Sequence, residues 1–279
     1  MTNFQRWALI LTVPAGLLTI CLYVLPILQV LALSFTEPTF GFGNYISLFQ
    51  NAAIGRVVRT TVIVSIVTTV LTIVMSYVVA FALVQMPPAV RRVALFMVMV
   101  PFWISVLVRA FAWITILRRN GVLNSVLMET GAISEPLDLV YNQLGVIIGM
   151  VHYMMPFAIL LLYTNLTDID QRIIQAARSL GARPATIFLR VWLPLSLPAI
   201  AISTLFTVIF SLGFLVTPAI LGAGRVLMVA EYISVQISST LRWGVATALS
   251  TVLLVVVGLL VAVAMRNPAL RAAFEGGRK

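Results

Sequence analysis

The sequence has very little lysine, acid or cysteine. Lysine occurs once, at Lys279. A phosphate-binding loop needs Gly-x-x-x-x-Gly-Lys, so no such ATP-binding loop is written here. The eight acids all fall outside the long apolar runs, whereas a proton-coupled carrier usually buries one. Cys21 stands alone, which excludes an internal disulfide. His152, the one histidine, sits beside Tyr153 with no set of metal-ligating neighbours in sequence; it reads as a packed residue more readily than a ligand. No nucleophile–base pair is in view. The expectation is a chain that is not an enzyme and holds no metal and no cofactor of its own.

What is abundant is apolar surface. Of 279 residues, 61% are hydrophobic and 9% charged, with a mean hydropathy of +1.10. A soluble domain cannot hide that much apolar area. The uncharged runs are long enough to cross a bilayer, about 20 residues each. They cover residues 7–36, roughly 61–83, 93–117 interrupted by Arg109, 139–167, 191–224 and 243–265. We count six spans and expect an all-α polytopic membrane bundle, a single domain over residues 1–279. The first run is too long for a cleaved secretion signal and lacks a clean small-x-small site, so it reads as an uncleaved helix. The net charge of +10 fits cationic loops at a membrane better than nucleic-acid binding.

Basic residues set an orientation. With six spans and the N-terminus inside, eleven of the 18 Lys and Arg residues lie in inner segments and six in outer ones. The bias places both termini and the 165–196 loop in the cytoplasm. Trp7, Trp192 and Trp243 fall at span ends, where interfacial anchors sit. A short helix over 121–130 is expected in the outer loop 118–142, and the tail after Arg266 reads as short, basic and mobile. Pro14, Pro26, Pro101, Pro156, Pro194, Pro198 and Pro218 lie in or beside spans, which requires a packed bundle whose neighbours satisfy the freed backbone groups. Gly145 and Gly149 form a small-xxx-small pair suited to close helix packing.

The 165–196 loop has more pattern than the rest. Residues 167–192 read as two short helices around a sharp turn. Thr167 can cap the first, with Asp170 as the reciprocal member of a capping box. Ile169, Ile173, Ala176, Ala177 and Leu180 recur at helical spacing and predict one apolar face. Gly181 is placed for a left-handed C-cap, and Pro184 for the first position of a second helix running to about Trp192. These properties suit an amphipathic helix on the lipid surface as well as a docking element.

Gln175-Ala176-Ala177, then Gly181-Ala182, then Leu193-Pro194 closely resembles the EAA loop of ABC importer permeases: Glu-Ala-Ala, Gly and Leu-Pro at this spacing. Pro101-Phe102-Trp103, the stretch Val108–Trp113, Arg119-Asn120-Gly121 and the stretch Ser211–Ala219 look like the spermidine/putrescine branch, and the likeness covers roughly residues 7–265. It implies a type I importer permease fold and coupling helices that insert into a cytoplasmic ATPase dimer holding ATP and Mg. It also implies a second permease subunit and a periplasmic solute-binding protein as partners, a bacterial inner-membrane location, and an amine or similar organic solute. By resemblance, Gln175, Ala176, Ala177, Leu180, Gly181, Ala182 and Pro184 form the ATPase-coupling set. Gln175 departs from the family's Glu.

Arg109 is the one charge within a span. It is expected to face a partner, water or carbonyls, either in a substrate pathway or in an interhelical pair with Glu231. Trp103 and Trp113 offer aromatic faces to a cationic amine. Phe214 and Thr217, from the Ser211–Ala219 stretch, complete the pathway candidates. A self-sufficient secondary transporter or channel is the competing reading; it calls for buried ionisable residues or an inverted repeat, and beyond Arg109 the sequence offers neither.

Overall fold

The computed structural model describes residues 12–266, and among them every regular element is helical. Arg6, Trp7 and the expected basic tail after Arg266 lie outside the described residues. The helices are α1 (Thr12–Thr36), α2 (Gly43–Gln50), α3 (Ala52–Gln85), α4 (Pro88–Met99), α5 (Val106–Leu117), α6 (Val122–Glu129), α7 (Gln143–Asp168) and α8 (Gln171–Ser179). There follow α9 (Pro184–Leu212), α10 (Val216–Gly222), α11 (Val229–Ser238) and α12 (Trp243–Arg266). Five of them, α1, α3, α7, α9 and α12, are long and apolar enough to cross a membrane.

The expected third span is not one helix. Pro88–Trp103 and Val106–Glu129 meet at an angle of 101°. Pro101 sits in a tight 3₁₀ turn over Val100–Trp103, closed by the Ile104 N–H donating to the Pro101 carbonyl at 3.2 Å. Ile104 and Ser105 then run extended before α5 restarts. Counting this bent pair as one span gives six.

Two other prolines are absorbed without a break. A π-helical turn over Ile20–Val24 precedes Pro26, and another over Phe188–Trp192 precedes Pro194. In each the residue before the proline donates five residues back: Leu25 to Ile20 and Leu193 to Phe188. A proline ring crowds the carbonyl four residues earlier, and a wider turn relieves that contact. The helix expected to stop near Trp192 therefore continues, and α9 is one rod from the loop to Leu212.

The described residues fall into two compact units. One holds the residues up to Arg56 together with Tyr232–Val256. Its corner is fixed by Asn44, whose amide donates to the Ser34 and Glu37 carbonyls at 3.0 and 2.6 Å. A side chain at Gly244 would strike the Glu37 carbonyl and Asn44, so the start of α12 closes on this corner only as glycine.

The other unit, Val57–Glu231 with the residues from Val257, carries both candidate sites. Here α7 is central and is packed by α5, α9 and α10. Asn142 caps it by accepting from the Gly145 N–H at 2.9 Å. Gly149 lets α10 approach: an added Cβ would meet Leu221 and Thr217 side chains. Gly145 instead lies against the Leu139 carbonyl, so only one member of the small-residue pair serves packing between helices. The short outer helix is α6, and Asn124 ties it down by donating to the Arg118 and Leu137 carbonyls and accepting from the Leu137 N–H.

Candidate functional site

The first site is built around α8. Its N-cap is Asp170, whose carboxylate accepts from the Arg172 N–H at 2.8 Å. Thr167 does not cap it. That hydroxyl belongs to the last turn of α7 and donates to the Tyr163 and Thr164 carbonyls, because α7 runs on to Asp168. The end of α8 is as expected. Gly181 has φ +76°, and the Ala182 N–H donates to the Ala177 carbonyl at 3.1 Å, which together form a Schellman turn. Arg183 is extended and Pro184 starts α9.

The predicted apolar face splits. Ile169 and Ile174 are buried and Ala177 and Ala182 half-buried, all in a cluster with Tyr77, Leu162, Leu166, Ile187 and Trp192. Ile173 and Leu180 point away, with Leu180 87% exposed. Gln175, Ala176 and Pro184 are also exposed. Edge-to-face aromatic pairs stiffen the base: Phe81 with Phe188 and Trp192 at 5.3 and 5.4 Å, and Tyr77 with Phe188 at 6.0 Å. A hydrogen bond of 3.0 Å joins the Tyr77 hydroxyl and Ser196 Oγ. One side of α8 is thus held on the ends of α3, α7 and α9. The other shows Ile173, Ala176 and Leu180 flanked by Arg172 and Arg178.

The second site joins α5, α7 and α10. The Arg109 guanidinium lies over the Tyr153 ring, 4.4 Å from its centroid. Its Nε is buried and unpartnered. The pair expected with Glu231 is not formed: the one ion pair among the described residues is Arg119–Asp138, at 3.4 Å and exposed. Trp113 Nε1 donates to His152 Nδ1 at 3.2 Å, a bond that requires Nδ1 to be unprotonated. Phe214 packs on Tyr153 at 4.8 Å. Thr217 is buried and lines the same cleft as Arg109 and Trp113. That cleft holds about 10 Å³, space for roughly one water. Of the five pathway candidates, Arg109, Trp113, Phe214 and Thr217 come together. Trp103 does not: it sits at the bend, 88% exposed. Tyr153 and His152 were not anticipated in this site. Helical spacing gives no clean signal for them: Gly149, His152 and Tyr153 line the Arg109 cleft, whereas Phe157, one turn on, packs on Phe102, Phe206 and Phe210.

Residues 72–271 match the family of binding-protein-dependent transport system inner membrane components. The chain belongs to this family. As a member it is a multi-pass inner-membrane permease component and not an enzyme. It is 33% identical, over 87% of each chain, to the spermidine/putrescine transport system permease protein PotB of Haemophilus influenzae. To the PotB of Escherichia coli it is 29% identical over 84% of each. Among solved structures, the bacterial alginate ABC transporter in complex with an alginate pentasaccharide-bound periplasmic protein matches with a TM-score of 0.82 at 18% identity, covering 95% of this permease and 96% of that chain. The MetNI methionine ABC transporter matches with a TM-score of 0.57 at 20% identity, over 78% and 94%. These two likenesses establish the fold, a type I importer permease.

Proposed function

We propose that this permease works in an ATP-driven importer of a polyamine or similar organic cation. It would pair with a second permease, rest on two copies of a cytoplasmic ATPase, and receive solute from a periplasmic binding protein. Residues 1–279 act as one permease domain, and residues 165–196 are the loop gripped by the ATPase. The observation that carries this is the two-sided α8. A helix lying on lipid would turn its apolar side chains one way. Here Ile174 and Ala177 hold it to the platform while Ile173, Ala176 and Leu180 face outward, which leaves an apolar strip for a protein groove. The continuity of α9 gives the strip a mechanical output, since movement of the loop passes directly into a membrane-crossing rod.

The two PotB relatives support the solute class. The chain adds a physical point: no acid lines the Arg109 cleft, so it offers no charge-paired seat for a cation. Selection then belongs to the binding protein, and this chain supplies a route that opens from the one-water closure seen here. The excess of Lys and Arg supports cytoplasmic termini. The test is reconstitution of the complete system in vesicles with its binding protein. ATP-dependent uptake of labelled spermidine or putrescine is the expected outcome, and uptake that proceeds without ATP or without the binding protein would refute the reading. Impermeant labelling of Ser179→Cys, reactive only from the cytoplasmic side, checks the orientation.

A further inference from the structure

Two clefts lie along the last turns of α7. One is polar, about 530 Å³, and is lined by Val84 and Gln85 of α3, Arg91 of α4, Tyr163 and Thr167 of α7, and Gln171, the first residue of α8. No carboxylate lines it, and the half-buried Arg91 guanidinium has no hydrogen bond or ion pair among the described residues. The second is apolar, about 550 Å³, between α7 and α9 with Val261 of α12. Along α7 it runs from Phe157 to Thr164, one helical turn before Thr167 of the polar cleft. At 1.5 Å per residue that is a groove about 10 Å long.

We propose that this pair of clefts binds one anionic phospholipid, its phosphate on Arg91 and one acyl chain in the α7–α9 groove. The proposal rests on the orientation proposed above, which places Arg91 at the inner leaflet. Each half of the ligand has its counterpart. A guanidinium presents a planar fork to phosphate oxygens. The Tyr163 hydroxyl and the Gln85 and Gln171 amides supply neutral donors around it. Asp170 does not line the cleft, and no carboxylate pairs with Arg91 among the described residues. Basic pockets between spans on the cytoplasmic side are where anionic headgroups bind. The polar volume lies in the range of small-ligand sites, and the apolar groove begins one helical turn away along α7, toward the middle of that span. Because Gln171 opens α8, an occupied cleft braces the coupling helix from the side opposite its exposed strip.

The test uses the complete importer in detergent, with thermal stability and native mass spectrometry as readouts. Dioleoyl-phosphatidylglycerol is titrated against dioleoyl-phosphatidylcholine, glycerol phosphate and inorganic phosphate. The expected result is a saturable rise in melting temperature and a retained lipid with phosphatidylglycerol alone. Arg91→Gln should need roughly tenfold more lipid for the same shift, the scale of one lost charge-assisted contact. Arg91→Lys, which keeps the charge and guards against a folding defect, should fall between. Arg266→Gln, outside the cleft, should match wild type. Glycerol phosphate or inorganic phosphate matching the lipid would assign the cleft to a free anion and overturn the proposal, as would an unchanged Arg91→Gln titration. Binding in detergent is blind to orientation, so its failure counts against the cleft, while a wrong topology appears in the Ser179→Cys labelling.

Discussion

Gln175 sits exposed on α8 where the resembled loop has Glu. An exposed charge pair is worth about 0.2–1 kcal/mol. If the facing groove holds an arginine, Gln175→Glu should tighten ATPase association by up to about fivefold, read from binding to purified ATPase at low salt. Arg109 differs because it is partly buried. Its contact with Tyr153 is worth about 0.5–2 kcal/mol, offset by a buried Nε without a partner. Arg109→Ala should therefore change stability by no more than about 1 kcal/mol while altering the rate of solute uptake at unchanged complex assembly. Unaltered uptake would remove Arg109 from the pathway. Glu231, on α11 outside the long spans, is 7% exposed. Burial pushes its carboxyl above the usual carboxylate range, and the Met228 backbone N–H only partly opposes this. The proton is then held more tightly in the folded protein than in the unfolded one. Stability falls as pH rises from the ordinary carboxylate range through the raised value, and the loss is complete above it. Glu231→Gln should flatten that part of the melting-temperature profile. The chemistry at Arg109 was legible from its lone charge in an apolar run, but its partner was not. Glu231 was the partner the sequence suggested, and stacking on Tyr153 takes a face of α7 that apolar spacing alone does not reveal.

At the scale of elements, α3 and α9 share a line of hydroxyls. Ser211 Oγ donates to Ser65 Oγ at 2.8 Å, and Tyr77 bonds Ser196 at the other end. Run antiparallel between those two pairs, the helices bring Thr68 level with Thr207 and Thr72 level with Ser203. Thr68, Thr72 and Ser203 are buried with hydroxyls that have no partner. An unpaired buried hydroxyl costs about 1–3 kcal/mol, so Thr72→Val, equal in shape, should raise thermal stability of the complex by about 1 kcal/mol. A fall would show that the hydroxyl is bonded. The turn after α8 gives a second series. Nothing lies within 4 Å of a Cβ added at Gly181, so a substitution there meets only the strain of φ +76°, about 1–3 kcal/mol for a β-branched residue. Gly181→Asn should couple nearly normally, Gly181→Ala less well, and Gly181→Val poorly, with insertion intact in all three. Normal substrate-stimulated ATPase in Gly181→Val would contradict this. The glycine, the proline after it and the helices on either side were written in the sequence because each acts within a few residues. The 101° bend, the π-helical turns and the division of the α8 side chains between platform and solvent were not. They are set by what packs against the helix, which a periodic pattern does not record.

At the scale of the whole molecule, large apolar side chains of α1, α3, α4 and α12 are left uncovered by the chain itself, as a chain built for lipid and for other subunits requires. The long apolar runs already implied a bundle of spans. They could not say which exposed strip meets lipid and which meets protein, because lipid tails and a protein groove ask for the same residues. Leu180 is the most exposed large apolar side chain of the α8 turn, so it is the position at which measurement separates the two. The direct measurement is cross-linking from Leu180→Cys in native membranes that carry the complete importer, with Val62→Cys, exposed on α3, as the control. The account predicts an adduct between Leu180→Cys and the ATPase subunit, absent from the control and altered in yield when ATP is added. No ATPase adduct from Leu180→Cys, together with quenching of a fluorophore on that cysteine by lipid-borne quenchers, would contradict it and make α8 a membrane-surface helix.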